Sequence, residues 1–277
     1  MRGLKVGFIG LGDMGAPIGR RICGAGFPLT IWARRAATVE PFRDEPNVSI
    51  AESIADVGRN SDIVGLCVFG DKDVRQVVLG EAGLIANMAP GGVILIHSTV
   101  SVELCEELDA VATDRGLAVL DVPVTGGRDG AKIGRLVLMA GGRLEAFERA
   151  KPVMASYGHV IERMGAIGSG QMTKLLNNTV VYSNIAISFL ALDVGGEFGL
   201  DRAALTTVLR SGTATSSAYE TMLDNVLLDP KFARHVGELI KKDTDLFRHM
   251  REKAGIEASL IDRASLTALE MAPRFVV

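Results

Sequence analysis

A single lysine, Lys174, stands in the stretch GSGQMTKLLNN at residues 168–178, which is otherwise short of charge. No other charged residue occurs between Gln171 and Leu192, so a helix here would lack the charged outer face of an ordinary surface helix. A partly desolvated lysine can serve as a general acid or base, because burial lowers the amine's pKa from its free value of about 10.4. Taken alone, Lys174 fits a surface cation better, so the evidence for a cofactor and a substrate must come from the rest of the chain.

A glycine-rich turn near the start of the chain follows an apolar strand pattern and opens a helical one. It comprises Gly10, Leu11, Gly12, Asp13, Met14 and Gly15. In that context the GxGxxG spacing predicts a dinucleotide site, because the glycines permit a tight turn, close approach of a pyrophosphate and close packing of helix on strand. The start of the helix adds amide donors for phosphate. A glycine-rich turn in an unrelated sheet protein is the alternative interpretation.

Two arginines occupy the position that selects between the nicotinamide dinucleotides. Arg34 and Arg35 follow the second strand pattern, about twenty residues past the glycines, where NAD-binding proteins place an acidic residue on the ribose hydroxyls. Guanidinium groups match a 2′-phosphate in charge and shape, so the sequence favours NADP, with NAD as the second candidate. Two solvated arginines at a strand end are the alternative interpretation.

Alternating strand and helix patterns organise the first part of the chain. Short β-branched runs separated by helical stretches predict parallel strands with crossover helices. The segment 171–200 contains no proline and is followed by further helical patterns. We predict an α/β protein: a doubly wound, mostly parallel Rossmann-type sheet domain at 1–164 that binds NADP, and an all-helical substrate and oligomerisation domain at 165–277. A long, largely buried interdomain helix joins the two.

Composition and charge exclude several classes of partner. The 277 residues are 48% hydrophobic, with 30 basic and 33 acidic residues scattered along the chain, which predicts a globular protein without a nucleic-acid surface. The three separated cysteines fit free thiols in a reducing compartment, and the four histidines lack metal-ligand spacing, so no metal is expected. We recognise no leader peptide and no apolar stretch as long as a membrane span, and therefore expect a cytoplasmic protein without a membrane partner.

Two further motifs follow apolar strands, where ligands bind in open α/β sheets: HSTVS at 97–101 and DVPVTGG at 121–127. Together with GFIGLGDMG, GSGQMTKLLNN and KKDTDL, they occur in an order and at spacings that resemble the β-hydroxyacid dehydrogenase family. That family includes 3-hydroxyisobutyrate dehydrogenase and shares the NAD(P)-binding domain of 6-phosphogluconate dehydrogenase. The resemblance spans nearly the whole chain.

The resemblance implies roles for particular residues. The family's catalytic lysine falls on Lys174, as the general acid/base of hydride transfer. Substrate-binding positions fall on Ser98, Thr125, Gly126, Gly127 and Asn178, the last of which lies one helical turn beyond the lysine. Cofactor-binding positions, besides the glycine turn and the arginines, fall on Val68, Phe69, Thr99 and Lys242.

These observations predict an oxidoreductase that transfers a hydride between NADP(H) and a small β-hydroxy acid or its semialdehyde or keto acid. Imine or ketone reduction on the same fold is one alternative, although imine reducers of this architecture usually replace the lysine. A non-catalytic dinucleotide-binding interaction module is another. A phosphorylated sugar acid is disfavoured, because it would need a basic cluster. The long apolar helix predicts a homodimer or homotetramer, since one small domain seldom buries such a helix on all sides.

Overall fold

The computed structural model of the chain describes residues 3–226 and 230–272. The strands it describes are β1 (Val6–Ile9), β2 (Leu29–Trp32), β3 (Val48–Ile50), β4 (Ile63–Leu66), β5 (Val93–Ile96), β6 (Ala118–Asp121), β7 (Val124–Thr125), β8 (Leu136–Gly141) and β9 (Gly158–Gly165). They form one sheet in the order β3-β2-β1-β4-β5-β6-β8-β7, with β9 paired to β8.

Six parallel strands, β3, β2, β1, β4, β5 and β6, form the centre of the sheet in that spatial order. This is the strand order of a dinucleotide-binding Rossmann domain. Every residue of β1, β4 and β5 is buried, as expected where helices cover both faces of a parallel sheet. The predicted fold class is therefore confirmed. Strands β8 and β9 run in the opposite direction, since β8 pairs antiparallel with β6 and β7 and β9 pairs parallel with β8.

Helices connect the strands and make up the C-terminal part. They are α1 (Gly15–Gly24), α2 (Ala36–Val39), α3 (Ile54–Arg59), α4 (Asp71–Leu79), α5 (Leu84–Asn87), α6 (Val102–Thr113), α7 (Gly127–Lys132), α8 (Leu144–Met154), α9 (Ser169–Glu197), α10 (Arg202–Ser211), α11 (Ser217–Thr221), α12 (Pro230–Lys253) and α13 (Leu260–Met271), with a 3₁₀ turn at Glu40–Phe42 and a π-helical turn at Met222–Val226.

Strand β1 contributes to two apolar cores. Phe8 packs in one cluster with Ile18 of α1, whereas Ile9 packs in a second cluster with Val74 of α4. Because successive side chains of a strand point to opposite faces, these clusters are the two helix-covered faces of the sheet. The sheet is thereby fixed from both sides, and the loops at its carboxyl edge are held on a rigid support.

The chain divides into two compact units, Met1–Lys174 and Leu175–Val277. The division lies ten residues beyond the predicted boundary at 164/165 and falls within α9. Within the second unit, an apolar cluster is built from Tyr182, Phe189, Met222, Ile240 and Met271, among others. Residues 227–229 and 273–277 of the predicted helical domain lie outside the described residues.

Helix α9 differs from the prediction of a largely buried helix. One face carries exposed apolar side chains at helical spacing: Met172, Leu176, Val180, Ile187, Leu190 and Val194. By length and composition α9 could also cross a membrane, so the expectation that no apolar stretch is that long is wrong. Half of this apolar stretch is buried within the described structure, and a single helix of this kind is weak evidence for a membrane span, because core helices of soluble proteins pass the same test.

Candidate active site

The turn between β1 and α1 shows why its glycines are required. Gly10 has a φ of 95°, and a Cβ there would lie 2.2 Å from the carbonyl oxygen of Cys67. A Cβ on Gly15 would lie 1.8 Å from the carbonyl oxygen of Gly10. Gly12 is different, because a Cβ on it would meet no protein atom within 4 Å. Gly10 and Gly15 are therefore required because a side chain would collide with the backbone, while the space beside Gly12 is open to a ligand.

A cavity of about 650 Å³ opens beside this turn. Of the predicted cofactor residues, it is lined by Gly10, Leu11, Gly12, Arg34, Arg35, Val68 and Phe69, together with Trp32 and Thr38. Asp13 and Met14 complete the turn at the start of α1. The cavity lies at the carboxyl ends of β1, β2 and β4, where α/β proteins bind dinucleotides. Its open glycine, apolar walls and two guanidinium groups fit a nicotinamide dinucleotide.

The two arginines lie at the end of β2 and are exposed. Arg34 Nη1 is 3.5 Å from Asp73 Oδ1, and that carboxylate, on the first turn of α4, lines the same cavity. The Arg34 side chain is 75% exposed, so this ion pair is screened and weak. Both guanidinium groups therefore keep the capacity to bind an anion in the cavity.

The loops after β4 and β5 are joined to each other and to the start of α9. Val68 N donates a hydrogen bond of 2.9 Å to Ser98 Oγ. The buried side chain of Gln171 accepts from Val100 N at 3.2 Å and donates to the Ser98 carbonyl oxygen at 2.9 Å. This bidentate contact holds the backbone on both sides of Thr99. Ser98 and Thr99 are thus fixed relative to the first turn of the helix that carries Lys174.

A second link to the start of α9 comes from Asp121, a fully buried carboxylate at the end of β6. Its Oδ1 accepts from Gly168 N at 2.8 Å and its Oδ2 from Gln171 N at 2.7 Å. These are amides that a helix start leaves without an intrahelical partner. Burial raises the pKa of Asp121 to about 6, against the opposing effect of the amide donors. Asp121 therefore caps α9 from a distant strand.

Asp121→Asn is expected to change how stability depends on pH. Because its pKa is raised to about 6 in the fold, Asp121 stabilises the fold below about pH 4, and that contribution is lost as the pH rises through 6. Lowering the pH from 7 to 5 should therefore stabilise the wild type relative to Asp121→Asn by about 1 kcal/mol. Urea unfolding of both proteins at the two pH values measures this difference. An equal stability gap at pH 7 and pH 5 would contradict the assignment.

The predicted substrate loop follows β7 directly. Thr125 pairs with Val137 of β8, and Gly126 and Gly127 have φ angles of 120° and 63°, which favour glycine. The two glycines turn the chain into α7, which begins at Gly127. The loop therefore offers a hydroxyl and backbone N–H groups, which are the donors that a small carboxylate needs.

The predicted catalytic helix places its polar residues in different surroundings. Lys174 is half-buried, whereas Asn178, one turn later, is 9% exposed. Within the second unit, Asn178 Nδ2 donates to Asp243 Oδ2 at 2.6 Å, and the Tyr182 hydroxyl donates to the same oxygen at 2.7 Å. Lys242 Nζ lies 3.9 Å from Asp243 Oδ1, so Asn178 and Lys242 meet at one carboxylate.

His97 precedes the substrate-side Ser98 but is a core residue. Its Nδ1 is 2.8 Å from the Val122 carbonyl oxygen, and its Nε2 is 3.2 Å from the Tyr157 hydroxyl. Complete burial lowers the pKa of His97 to about 4, so the ring is neutral at physiological pH. His97 therefore supports the loop after β5 and is not a proton carrier there.

Three residues at the site were not identified from sequence: Asp121, Gln171 and Asp243. All lie inside quoted motifs, in DVPVTGG, GSGQMTKLLNN and KKDTDL. The sequence marks them only by residue type, since carboxylates and amides are seldom buried unless they are hydrogen-bonded. Only the tertiary structure shows which of the many polar residues in these motifs are buried.

Two family models match the chain in succession. The NAD binding domain of 6-phosphogluconate dehydrogenase matches residues 5–168. The NAD-binding domain of NADP-dependent 3-hydroxyisobutyrate dehydrogenase matches residues 168–272. The two models meet just before α9 begins. Together they cover the glycine turn, both strand-end loops and the lysine helix.

Curated relatives and a solved structure agree with these models. A Pseudomonas aeruginosa protein named NAD-dependent L-serine dehydrogenase is 33% identical over 216 residues, 78% of this chain and 72% of the relative. An Arabidopsis thaliana protein named probable 3-hydroxyisobutyrate dehydrogenase-like 2, mitochondrial, is 30% identical over 86% of this chain and 79% of its own length. The structure of Mycobacterium tuberculosis 3-hydroxyisobutyrate dehydrogenase with L-serine superposes with a TM-score of 0.83 and 26% identity, covering 99% of this chain and 95% of that one. The chain therefore belongs to the β-hydroxyacid dehydrogenase family, as an NAD(P)-dependent oxidoreductase of the 3-hydroxyisobutyrate dehydrogenase type.

Proposed function

We propose that the protein is an NADP-preferring dehydrogenase that interconverts a small β-hydroxy acid and its semialdehyde or keto acid, with Lys174 as general acid/base. The observation that carries this proposal is the attachment of the lysine helix to the sheet. Gln171 and Asp121 tie the first turn of α9 to the loop after β5 and to the end of β6. Lys174 follows Gln171 by one turn, so its backbone is held beside the strand ends where dinucleotides bind.

The proposed chemistry requires one hydride and one proton to move together. When bound, the nicotinamide accepts the hydride in alcohol oxidation and supplies it in carbonyl reduction. Lys174 takes the hydroxyl proton in oxidation and returns a proton to the carbonyl oxygen in reduction. The proposed role requires Lys174 to be the neutral amine when it takes the proton and the ammonium when it returns one.

The substrate we propose is a small carboxylic acid that carries a β-hydroxyl group. Ser98, Thr125, Gly126 and Gly127 would hold the carboxylate through hydroxyl and backbone donors, and Asn178 would hold the hydroxyl. Two relatives support an acid of this size, since one is named L-serine dehydrogenase and the other was solved with L-serine. The test is an activity screen of short β-hydroxy acids and semialdehydes with NADP and NAD in parallel. Turnover of none of them would contradict the proposal.

Arg34 and Arg35 are proposed to select NADP by binding its 2′-phosphate. The L-serine dehydrogenase relative is named NAD-dependent, so this selection needs its own test. We expect kcat/KM with NADP to exceed that with NAD by at least tenfold, or about 1.4 kcal/mol. Changing both arginines to alanine should reduce that ratio by at least tenfold, because two charge-assisted hydrogen bonds to phosphate are lost, and should leave kcat/KM with NAD within twofold. A ratio unchanged in the double variant would exclude the arginines from cofactor selection.

We also propose that the protein assembles as a homodimer or homotetramer through the exposed apolar face of α9. Met172, Leu176, Val180, Leu190 and Val194 are each at least 40% exposed along that face. A continuous apolar stripe of this kind is typical of an interface between subunits. Light scattering at micromolar concentration measures the assembly state, and a monomer would contradict the proposal.

A further inference from the structure

Asp243 is a buried carboxylate that the proposed chemistry leaves without a role. It lies on α12, is 5% exposed and directly follows Lys242. Among the described residues, its Oδ2 accepts two hydrogen bonds, from Asn178 Nδ2 at 2.6 Å and from the Tyr182 hydroxyl at 2.7 Å. An ionised group is costly to bury, and it is usually retained where its partners need it.

The contact with Asp243 determines how the Asn178 amide is oriented. An ionised carboxylate can only accept hydrogen bonds, so the group that faces it must be the NH₂ of Asn178 and not its carbonyl oxygen. The opposite side of the amide agrees with this orientation, because Asn178 Oδ1 accepts from Asn177 Nδ2 at 3.0 Å. The asparagine thus presents its carbonyl oxygen and its second N–H in fixed directions.

Tyr182 holds the carboxylate in place. Burial and the charge of Asp243 both raise the pKa of the Tyr182 hydroxyl, so it remains protonated and donates. Tyr182 lies on α9 one turn beyond Asn178, so both donors reach the carboxylate from one helix. Two donors therefore hold the Oδ2 atom of Asp243, and a rotation of the carboxylate away from the amide would break both hydrogen bonds.

We propose that Asp243 is a positioning residue for the substrate, acting through the amide of Asn178. This inference rests on the proposed function, in which Asn178 binds the reacting hydroxyl. With the carboxylate present, only one of the two amide orientations satisfies the buried network. Without its charge, both orientations become available, and the hydroxyl is held in the reactive direction for a smaller fraction of the time.

The test compares Asp243→Asn with Thr244→Ala. Asparagine keeps the size of the side chain but can face Asn178 with either its oxygen or its NH₂, so it no longer dictates the orientation. Thr244 is its equally buried neighbour, and its hydroxyl donates only to the Ile240 carbonyl oxygen among the hydrogen bonds described. We expect Asp243→Asn to lower kcat/KM for the hydroxy acid about tenfold, with the Kd for NADPH within twofold of wild type. Thr244→Ala should leave both values unchanged.

A double-mutant cycle with Asn178→Ala decides whether Asp243 acts through the amide. If it does, Asp243→Asn will lower kcat/KM in the wild-type background and change it less than twofold once Asn178 is alanine. Equal losses in the two backgrounds would overturn the inference, as would a lower melting temperature with unchanged kcat/KM. The proposed function fails on a different result, because Lys174→Ala would then retain its turnover whatever the effect of Asp243→Asn.

Discussion

Replacing Lys174 by alanine is expected to lower kcat by about 10² to 10⁴-fold, while the Kd for NADPH stays within twofold of wild type. The loss is large because the side chain carries the proton that must move as the hydride is transferred. Cofactor binding should persist, because Lys174 does not line the cavity beside the glycine turn. Steady-state kinetics and a fluorescence titration with NADPH measure the two quantities.

Two further variants separate proton transfer from the effects of charge. Lys174→Arg keeps a cation, but a guanidinium does not release its proton near neutral pH, so this variant should be as inactive as the alanine variant. Lys241→Ala removes an exposed lysine whose Nζ is 2.6 Å from Asp245 Oδ2, and it should retain wild-type kcat. Full activity in Lys174→Arg would show that the residue contributes charge alone.

The central fold could be predicted from sequence because its signals are local. The runs LTIW and KVGFIG contain β2 and β1, and the alternation with helices sets the parallel direction. Strand β3 was missed, since it has three residues and its side chains are exposed or only partly buried. The antiparallel direction of β8 was also missed, because a strand's sequence does not record the direction of its neighbour.

The chemistry-bearing residues could be predicted only where a motif marks them. The hydrogen bonds of Asp121 reach residues 47 and 50 positions away, and those of Gln171 reach 71 and 73 positions. Asp243 reaches Asn178 over 65 positions. Contacts between residues so far apart leave no periodic pattern in the sequence. The residues that support the site can therefore be identified only from the folded structure. Lys174 could be proposed from the sequence because motifs elsewhere in the chain resemble a family whose catalytic lysine falls at this position.

The apolar pattern of α9 predicted that its side chains are buried, but not whether their own unit or another subunit buries them. Phe189 is packed in the apolar cluster of its own unit, whereas Leu190 is exposed and would be covered by another subunit in the proposed assembly. Hydropathy is high for both residues, so it does not distinguish the two cases. The sequence predicted a largely buried helix that one small domain would not bury on all sides, and the exposed apolar face of α9 supports the assembly proposed above.

Gly12→Val is expected to weaken NADPH binding by at least 100-fold without destabilising the fold. The physical reason is the open space beside this residue, because an added Cβ meets no protein atom within 4 Å and a valine side chain would instead occupy the proposed path of the pyrophosphate. Gly12 does not have a positive φ, so valine can adopt its backbone conformation. A fluorescence titration with NADPH measures the affinity, and thermal unfolding without cofactor measures the stability.

The matched control for this prediction is Gly24→Val at the other end of α1. Gly24 is also exposed, also lacks a positive φ and also has no neighbour within 4 Å of an added Cβ, but it lies away from the cavity. The two variants should unfold at similar temperatures, yet only Gly12→Val should lose NADPH binding. Gly15→Val is a third case, since its side chain would collide with the Gly10 backbone and should destabilise the fold itself. If Gly12→Val bound NADPH as tightly as Gly24→Val, the dinucleotide would not pass over the second glycine, and the cavity beside the turn would need another ligand.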